Sequence, residues 1–333
     1  MTLDNLLSLI GGRLLSNPSI TGFNAITDRV SRVQRGDLFV CVDQEIDSIN
    51  EALTKGAYGI IFDKLTPKLT LTLDDETAWI EVDSSFEAHL KLLRFHLMPK
   101  QLEVFYSDIY TLEYISMMKT SGECKIISDD ISDIVTKLWH VQDGQKLIIK
   151  KQEEILTLFP TAKEINAIAD IELESISPLE STLTLNRQHF NRQKIPEVLH
   201  NSFKKALSFL ENYHLGFNLS TLTFPKSFNL VSCDNFFTPK EFGKGNITLL
   251  FIDDTKLGLD FLLSAKKLTP WIESRLFLNE NLKNLSYNGF TIFKDQKALL
   301  KALKQETFDL AVICGASSEL LSEAEKPTQL SLF

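Results

Sequence analysis

The chain has 333 residues, 44% of them hydrophobic and 24% charged, which suits a folded protein with a sizeable core rather than a disordered one. Its 35 Lys and Arg against 44 Asp and Glu give a formal charge of -9, which argues against direct binding to a nucleic-acid backbone. The N-terminus lacks a basic region ahead of an apolar core, and no apolar run reaches the roughly 18 residues of a membrane helix, so neither a signal peptide nor a membrane span is expected. Four scattered cysteines, Cys41, Cys124, Cys233 and Cys314, form no CxxC pair and fit a reducing, cytoplasmic setting without a zinc site.

A short helix is predicted over Leu3 to Ile10, followed by a Gly-Gly break and a polar loop. The run "GDLFVCV" from Gly36 reads as a strand, and a helix closed by Gly56 and a strand from Tyr58 to Phe62 follow. The run "TAWIEV" gives a third strand, after which Ser84 or Ser85 caps a helix. From Leu102 the pattern is strand (to Tyr106), helix (Tyr110 to Met118), strand (Cys124 to Ile127), helix (Ile131 to Trp139) and strand "KLIIK". Strand-like, polar residues fill 171-196, and a helix beginning near Glu197 ends at Gly216. The last alternation runs through "NITLLFID", "LDFLLSAKKL", "SRLFL", "FTIF", "QKALLKALKQ" and "FDLAVICG". Such alternation predicts an α/β protein of three consecutive units with mainly parallel sheets. The units are placed at 1-84, 85-222 and 223-320, with a flexible tail at 321-333.

The ordered run Ser31, Arg32, Val33, "GDLFV" at 36-40 and "INEALTKGAYGIIF" at 49-62 resembles the N-terminal domain of the Mur ligase family, which adds amino acids to the peptidoglycan peptide. The closest likeness is to the tripeptide-adding and D-Ala-D-Ala-adding members. The resemblance implies a grip on the uridine nucleotide of a UDP-muramoyl precursor, with Ser31, Arg32, Gly36 and Asp37 near it. The residues alone support a plainer role, a turn at Gly36 feeding a buried strand.

The family's central domain opens with a strand, a glycine-rich loop ending in Gly-Lys-Thr or similar, and a helix. Glycines let backbone amides close on the phosphates, the lysine offsets charge, and the hydroxyl holds magnesium. At that place this chain has "YSDIYT", with Tyr106, Ser107, Asp108 and Thr111 and neither glycine nor lysine. Asp108 would repel a triphosphate, and Tyr106, Ile109 and Tyr110 would block it; Ser107 and Thr111 can cap the helix. No other such motif occurs, so no ATP or magnesium, no metal and no catalytic residue is expected. None of the histidines forms a metal-ligand pair, and His89 and His96, two turns apart on one helix face, read as packed or exposed. Asp253 and Asp254 could be a general base or a magnesium pair, or the polar end of a strand. The turn "ICGASSE" offers free amides to an anion.

The final "QLSLF" (Gln329, Leu330, Ser331, Leu332, Phe333) resembles the pentapeptide by which replication and repair proteins dock onto the sliding clamp (β) of DNA polymerase III. Gln329 would enter a polar pocket while the apolar side chains fill a groove, each contributing about 1.5-3 kcal/mol if enclosed. Alternatively, the tail could fold back onto the chain's own surface. The expected function is a non-catalytic, Mur-ligase-like binding or scaffold protein linked to wall-precursor synthesis and able to dock on the clamp, with cell-wall enzymes as further partners. The competing readings are an active amide-forming ligase with an atypical nucleotide site, using ATP and magnesium, and a replication or repair factor on a ligase-like fold.

Overall fold

The computed structural model describes residues 2-64, 74-122, 124-127, 131-167, 171-282 and 289-321. They form two units, one of residues 1-106 and 123-163, the other of 107-122 and 164-333.

In the first unit, helix α1 (Leu3–Ile10) starts at Thr2, whose hydroxyl accepts from the Asn5 amide, and ends at Gly11 in the left-handed conformation. Strands β1 (Arg13–Leu14), β2 (Ile26–Thr27) and β3 (Leu38–Val40), helix α2 (Ile46–Thr54), and strands β4 (Gly59–Asp63) and β5 (Ala78–Val82) follow. They make a sheet in the order β1-β5-β4-β3-β2, parallel except for β1. Its strands are continuous apolar runs because both faces are covered. Leu38, Val40, Ile61 and Ile80 face the core shared with α1, while Phe39, Cys41, Ile60, Phe62 and Trp79 face Ile49 and Ala52 of α2. The buried Glu81 on β5 is paired with Arg13 at 3.1 Å across the antiparallel edge.

Helix α3 (Ser85–Leu97) is capped by Ser84, whose hydroxyl accepts from the Glu87 amide. It serves two cores: Ala88 and Leu92 pack on the first sheet, Leu93 and Leu97 on a second one. That second sheet comprises β6 (Glu103–Ser107), β7 (Cys124–Ile127), β8 (Lys146–Lys150) and β9 (Lys163–Glu164), in the order β7-β8-β6-β9. Helix α4 (Ile109–Met118) follows β6 and belongs to the second unit, whereas α5 (Ile131–Leu138) and α6 (Glu153–Leu156) stay in the first.

In the second unit, β10 (Glu172–Ser175), β11 (Ser181–Leu185) and β12 (Gln188–Gln193) form an antiparallel meander. Asn186 and Arg187 at its tight turn both have positive φ, 50° and 64°, as a two-residue hairpin turn requires. Helix α7 (His200–Asn212) packs on α4, with Phe203 edge-on to Tyr114 at 5.3 Å. It stops short of Gly216, where the sequence pattern put its end; His214 takes the left-handed conformation (φ 52°), and Gly216 instead lies close against Thr120 and Ser121, where a Cβ would come within 2.6 Å of the Ser121 hydroxyl.

The remaining elements are β13 (Asn229–Cys233), β14 (Pro239–Lys240), β15 (Ile247–Ile252), α8 (Thr255–Leu268), β16 (Ser274–Asn279), β17 (Phe290–Phe293), α9 (Gln296–Gln305) and β18 (Leu310–Cys314). They build a six-stranded sheet in the order β14-β13-β15-β18-β16-β17. Strands β15, β18, β16 and β17 are parallel, while β13 and β14 add an antiparallel edge. Phe251, Phe277, Leu299, Leu303 and Ile313 form one of its cores. The α/β architecture with mainly parallel sheets is therefore the one expected. Among the described residues no helix is long and apolar enough to cross a membrane.

Candidate functional site

Three places hold the residues singled out by the sequence. The first is the start of α4. Strand β6 ends at Ser107 and the helix begins at Ile109, so a single residue, Asp108, makes the turn. Its backbone is extended (φ -69°, ψ 160°), and no residue from 106 to 111 has positive φ. Asp108, not Ser107 or Thr111, is the cap. Its carboxylate accepts from the Thr111 amide at 2.9 Å and the Thr111 hydroxyl at 2.7 Å. The hydroxyls of Ser107 and Ser202 donate to it as well, at 3.3 and 2.9 Å. Lys205 on α7 lies 3.9 Å from Asp108 and 3.6 Å from Glu164. A negative group thus sits at the positive end of the helix, and it comes from the chain itself.

The second place is a cavity of about 450 Å³ at the carboxyl ends of β15 and β18. Crevices outside the carboxyl ends of parallel strands are where open α/β sheets take ligands. Lys226, Ser227, Asn229, Asp253 and the turn Gly315 to Ser317 line it. Ser227 is held by Glu113, its amide and hydroxyl donating to the carboxylate at 2.9-3.2 Å. Gly315 has φ +83°, and a Cβ there would come within 2.8 Å of Asn279 and Leu282. Asp254 is the cap of α8, accepting from the amides of Lys256 and Leu257 at 2.9 and 3.0 Å. Asp253 faces the cavity instead, so the two acids have separate roles. Burial, and then the charges of Asp254, Glu113, Asp108 and Asp253, push the Tyr110 phenol far up, which keeps it protonated in a negative field. Burial and then the same Asp254 and Asp253 push the Cys314 thiol up to about 12. Among the described residues no group of three or more His, Cys, Asp and Glu side chains could hold a metal ion.

The third place lies in the first unit, a cavity of about 320 Å³ beside β2 and β3. Arg32, Arg35, Asp28 and Asp37 line it from the loops of the first sheet, and Thr136, Trp139 and His140 from the end of α5. Of the four residues expected there, Arg32 and Asp37 reach the cavity. Ser31 is exposed and is not in its wall, and neither is Gly36. Gly36 shapes the turn, with φ +92° and space for a Cβ filled by Asn24 at 2.4 Å. Asp37 is buried and accepts from the Gln34 amide at 2.9 Å, which fixes the loop that carries Arg35. Arg32 donates to His140 Nε2 at 3.3 Å, and Arg29 pairs with Asp133. Trp139 donates its indole N–H to Nε2 of the buried His89 at 2.7 Å, while His96 Nε2 donates to the Trp139 carbonyl at 3.2 Å. Arg35, Trp139 and His89 were not singled out as site residues, because their meeting depends on chain contacts up to about a hundred residues apart. The one available signal was the seven-residue spacing of His89 and His96 on α3. The pentapeptide Gln329 to Phe333 lies outside the described residues.

No protein-family model matches the chain, and no curated relative does. Among solved structures the chain is similar to MurF from Acinetobacter baumannii, with a TM-score of 0.56 and 10% identity over 97% of this chain and 98% of that one. It is also similar to the MurF ligase from Thermotoga maritima in complex with ADP, with a TM-score of 0.50 and 13% identity over 90% and 95% of the two chains. A third similar structure is the UDP-N-acetylmuramoylalanyl-D-glutamyl-2,6-diaminopimelate–D-alanyl-D-alanyl ligase from Acinetobacter baumannii, with a TM-score of 0.50 and 12% identity over 98% of both chains. At such identities the likeness is one of fold, and the chain has the fold of the Mur ligases along nearly its whole length.

Proposed function

We propose that the protein is a non-catalytic binding or scaffold protein built on the Mur ligase fold. It holds the uridine nucleotide of a wall precursor in its first unit and docks on the sliding clamp through its C-terminal pentapeptide. The observation that carries the non-catalytic reading is the start of α4. A triphosphate cradle needs open amides, glycines and an ammonium. Here the Thr111 amide is taken by Asp108, the turn is one residue long, and Tyr110 stands among four carboxylates. A polyanion meets repulsion there, and without ATP there is no acyl phosphate for an incoming amine to attack.

The Arg32/Arg35 cavity supports the nucleotide-holding part, since guanidinium groups favour diphosphate and the Trp139 face suits a planar base. Titration calorimetry with ATP and magnesium tests the loss of ligation, and the expected trace is flat. Measurable binding would favour the active-ligase reading. Pull-down on purified clamp tests the docking: full-length protein should be recovered and a chain ending at Thr328 should not, whereas equal recovery removes the clamp from the account.

A further inference from the structure

We infer that His89 is a positioning residue that locks Trp139 as the aromatic wall of the Arg32/Arg35 cavity. This rests on the reading of that cavity as a nucleotide site and adds to it the residue that fixes how a planar ring is received. An indole N–H can only donate, so at 2.7 Å the Nε2 of His89 is its acceptor and carries no proton. The imidazole proton is therefore on Nδ1, the side of the Asp28 carboxylate, whose oxygen is 3.9 Å away. Asp28 and Trp139 both line the cavity, so one imidazole connects two parts of its wall. His89 itself is 1% exposed. Buried, with its lone pair occupied by the indole, it cannot serve as a base toward a ligand; its role is to orient. The rings of His89 and Trp139 are nearly parallel (18°) with centroids 5.8 Å apart, as an in-plane hydrogen bond requires, and His96, tilted against Trp139 at 4.7 Å, holds it from one further direction. Burial pushes His89 below its ordinary value, against the opposing pull of Asp28, so the neutral form that the contact needs is the favoured one.

The test uses the full-length protein, uridine diphosphate as probe, and the Trp139 indole N–H resonance. His89→Leu removes the acceptor and His89→Gln supplies another. The leucine variant should lose the protected, shifted indole signal and bind the probe about tenfold more weakly, the value of one oriented aromatic contact. The glutamine variant should restore both. Trp139→Phe should weaken binding to a similar extent, and combining it with His89→Leu should add little. An unchanged indole signal in a folded His89→Leu protein overturns the inference, and so does a released indole with unaltered probe affinity. If the wild-type protein binds no uridine diphosphate, the nucleotide reading fails, and with it the wall role for a planar ligand; an indole signal lost in His89→Leu and restored in His89→Gln would then leave only the lock on Trp139 standing.

Discussion

The start of α4 and the cavity beside β3 both bring backbone and cationic groups to the end of a strand, and they differ in what fills them. At α4 the helix end is occupied by Asp108, with two serines, Thr111 and Lys205 arranged around that one carboxylate. Beside β3 a volume of about 320 Å³ stays open between Arg32, Arg35 and Trp139. A helix end satisfied by the chain's own side chain gains stability and loses a ligand. A cavity lined by Arg32 and Arg35 leaves room that a ligand can fill. The contrast teaches that one chain can close a strand-to-helix turn with its own carboxylate and leave a loop cavity open elsewhere.

The largest expected effect breaks this contrast on the open side. Replacing Arg32 and Arg35 together by alanine should weaken uridine diphosphate on the order of 100-fold, since charged hydrogen bonds contribute about 1.5-3 kcal/mol each and one is assumed to be partly solvated. Urea stability should be nearly unchanged, and calorimetry showing equal affinity would mean that the cavity holds no anion. On the filled side, Asp108→Ala should lower urea stability by about 1-2 kcal/mol through the lost cap. It should gain no affinity for ATP, because Tyr106 and Ile109 flank the turn and no glycine is present. Triphosphate binding by that variant would show that the carboxylate alone had been closing the site.

Much of the fold was legible because its strands are long apolar runs and its helices are punctuated by residues such as Gly11, Ser84 and Asp254. The two-residue strands β1 and β2 were not, since two residues carry no period. Strand β13, "NLVSC", mixes polar and apolar residues because it lies toward the sheet's antiparallel edge. The Asp108 carboxylate was visible as an obstacle to phosphate but not as a cap with four hydroxyl and amide donors. Ser202, one of those donors, lies 94 residues away on α7. The open cavity was legible at Arg32 and Asp37, which sit in one short motif, and illegible at Trp139, which reaches the cavity only through the helix packing around α3.

A pH series sharpens the comparison further. His89, His96 and His200 are each pushed below the ordinary value of 6.5, with burial the first cause in every case. His200 donates to Ser181, whose own proton goes to the Ile195 carbonyl. A histidine held neutral in the folded state takes up its proton more readily when unfolded. Below about pH 6.5 the unfolded chain therefore binds more protons, and stability falls as the pH drops toward the folded-state values. Urea midpoints measured from pH 7.5 to 5 should decrease steadily, and His89→Gln should flatten part of the slope. A midpoint that stays level across that range would mean these rings take up protons as readily in the folded protein as in the unfolded chain.

The smallest effect concerns Lys205, and it separates charge from hydrogen bonding at the α4 cap. Its ammonium is 3.9 Å from Asp108 and 3.6 Å from Glu164, beyond hydrogen-bond distance in both cases. With the chain of Lys205 largely buried, Lys205→Met keeps most of the packing and removes the charge. The expected loss is below about 1 kcal/mol, as for other loosely paired ions. The cap hydrogen bonds from Thr111 and Ser202 remain in that variant, so the helix should start where it does now. A loss equal to that of Asp108→Ala would mean the ammonium holds the carboxylate in place, making the filled helix end an ion pair first and a cap second. A double-mutant cycle between the two positions then gives their coupling directly.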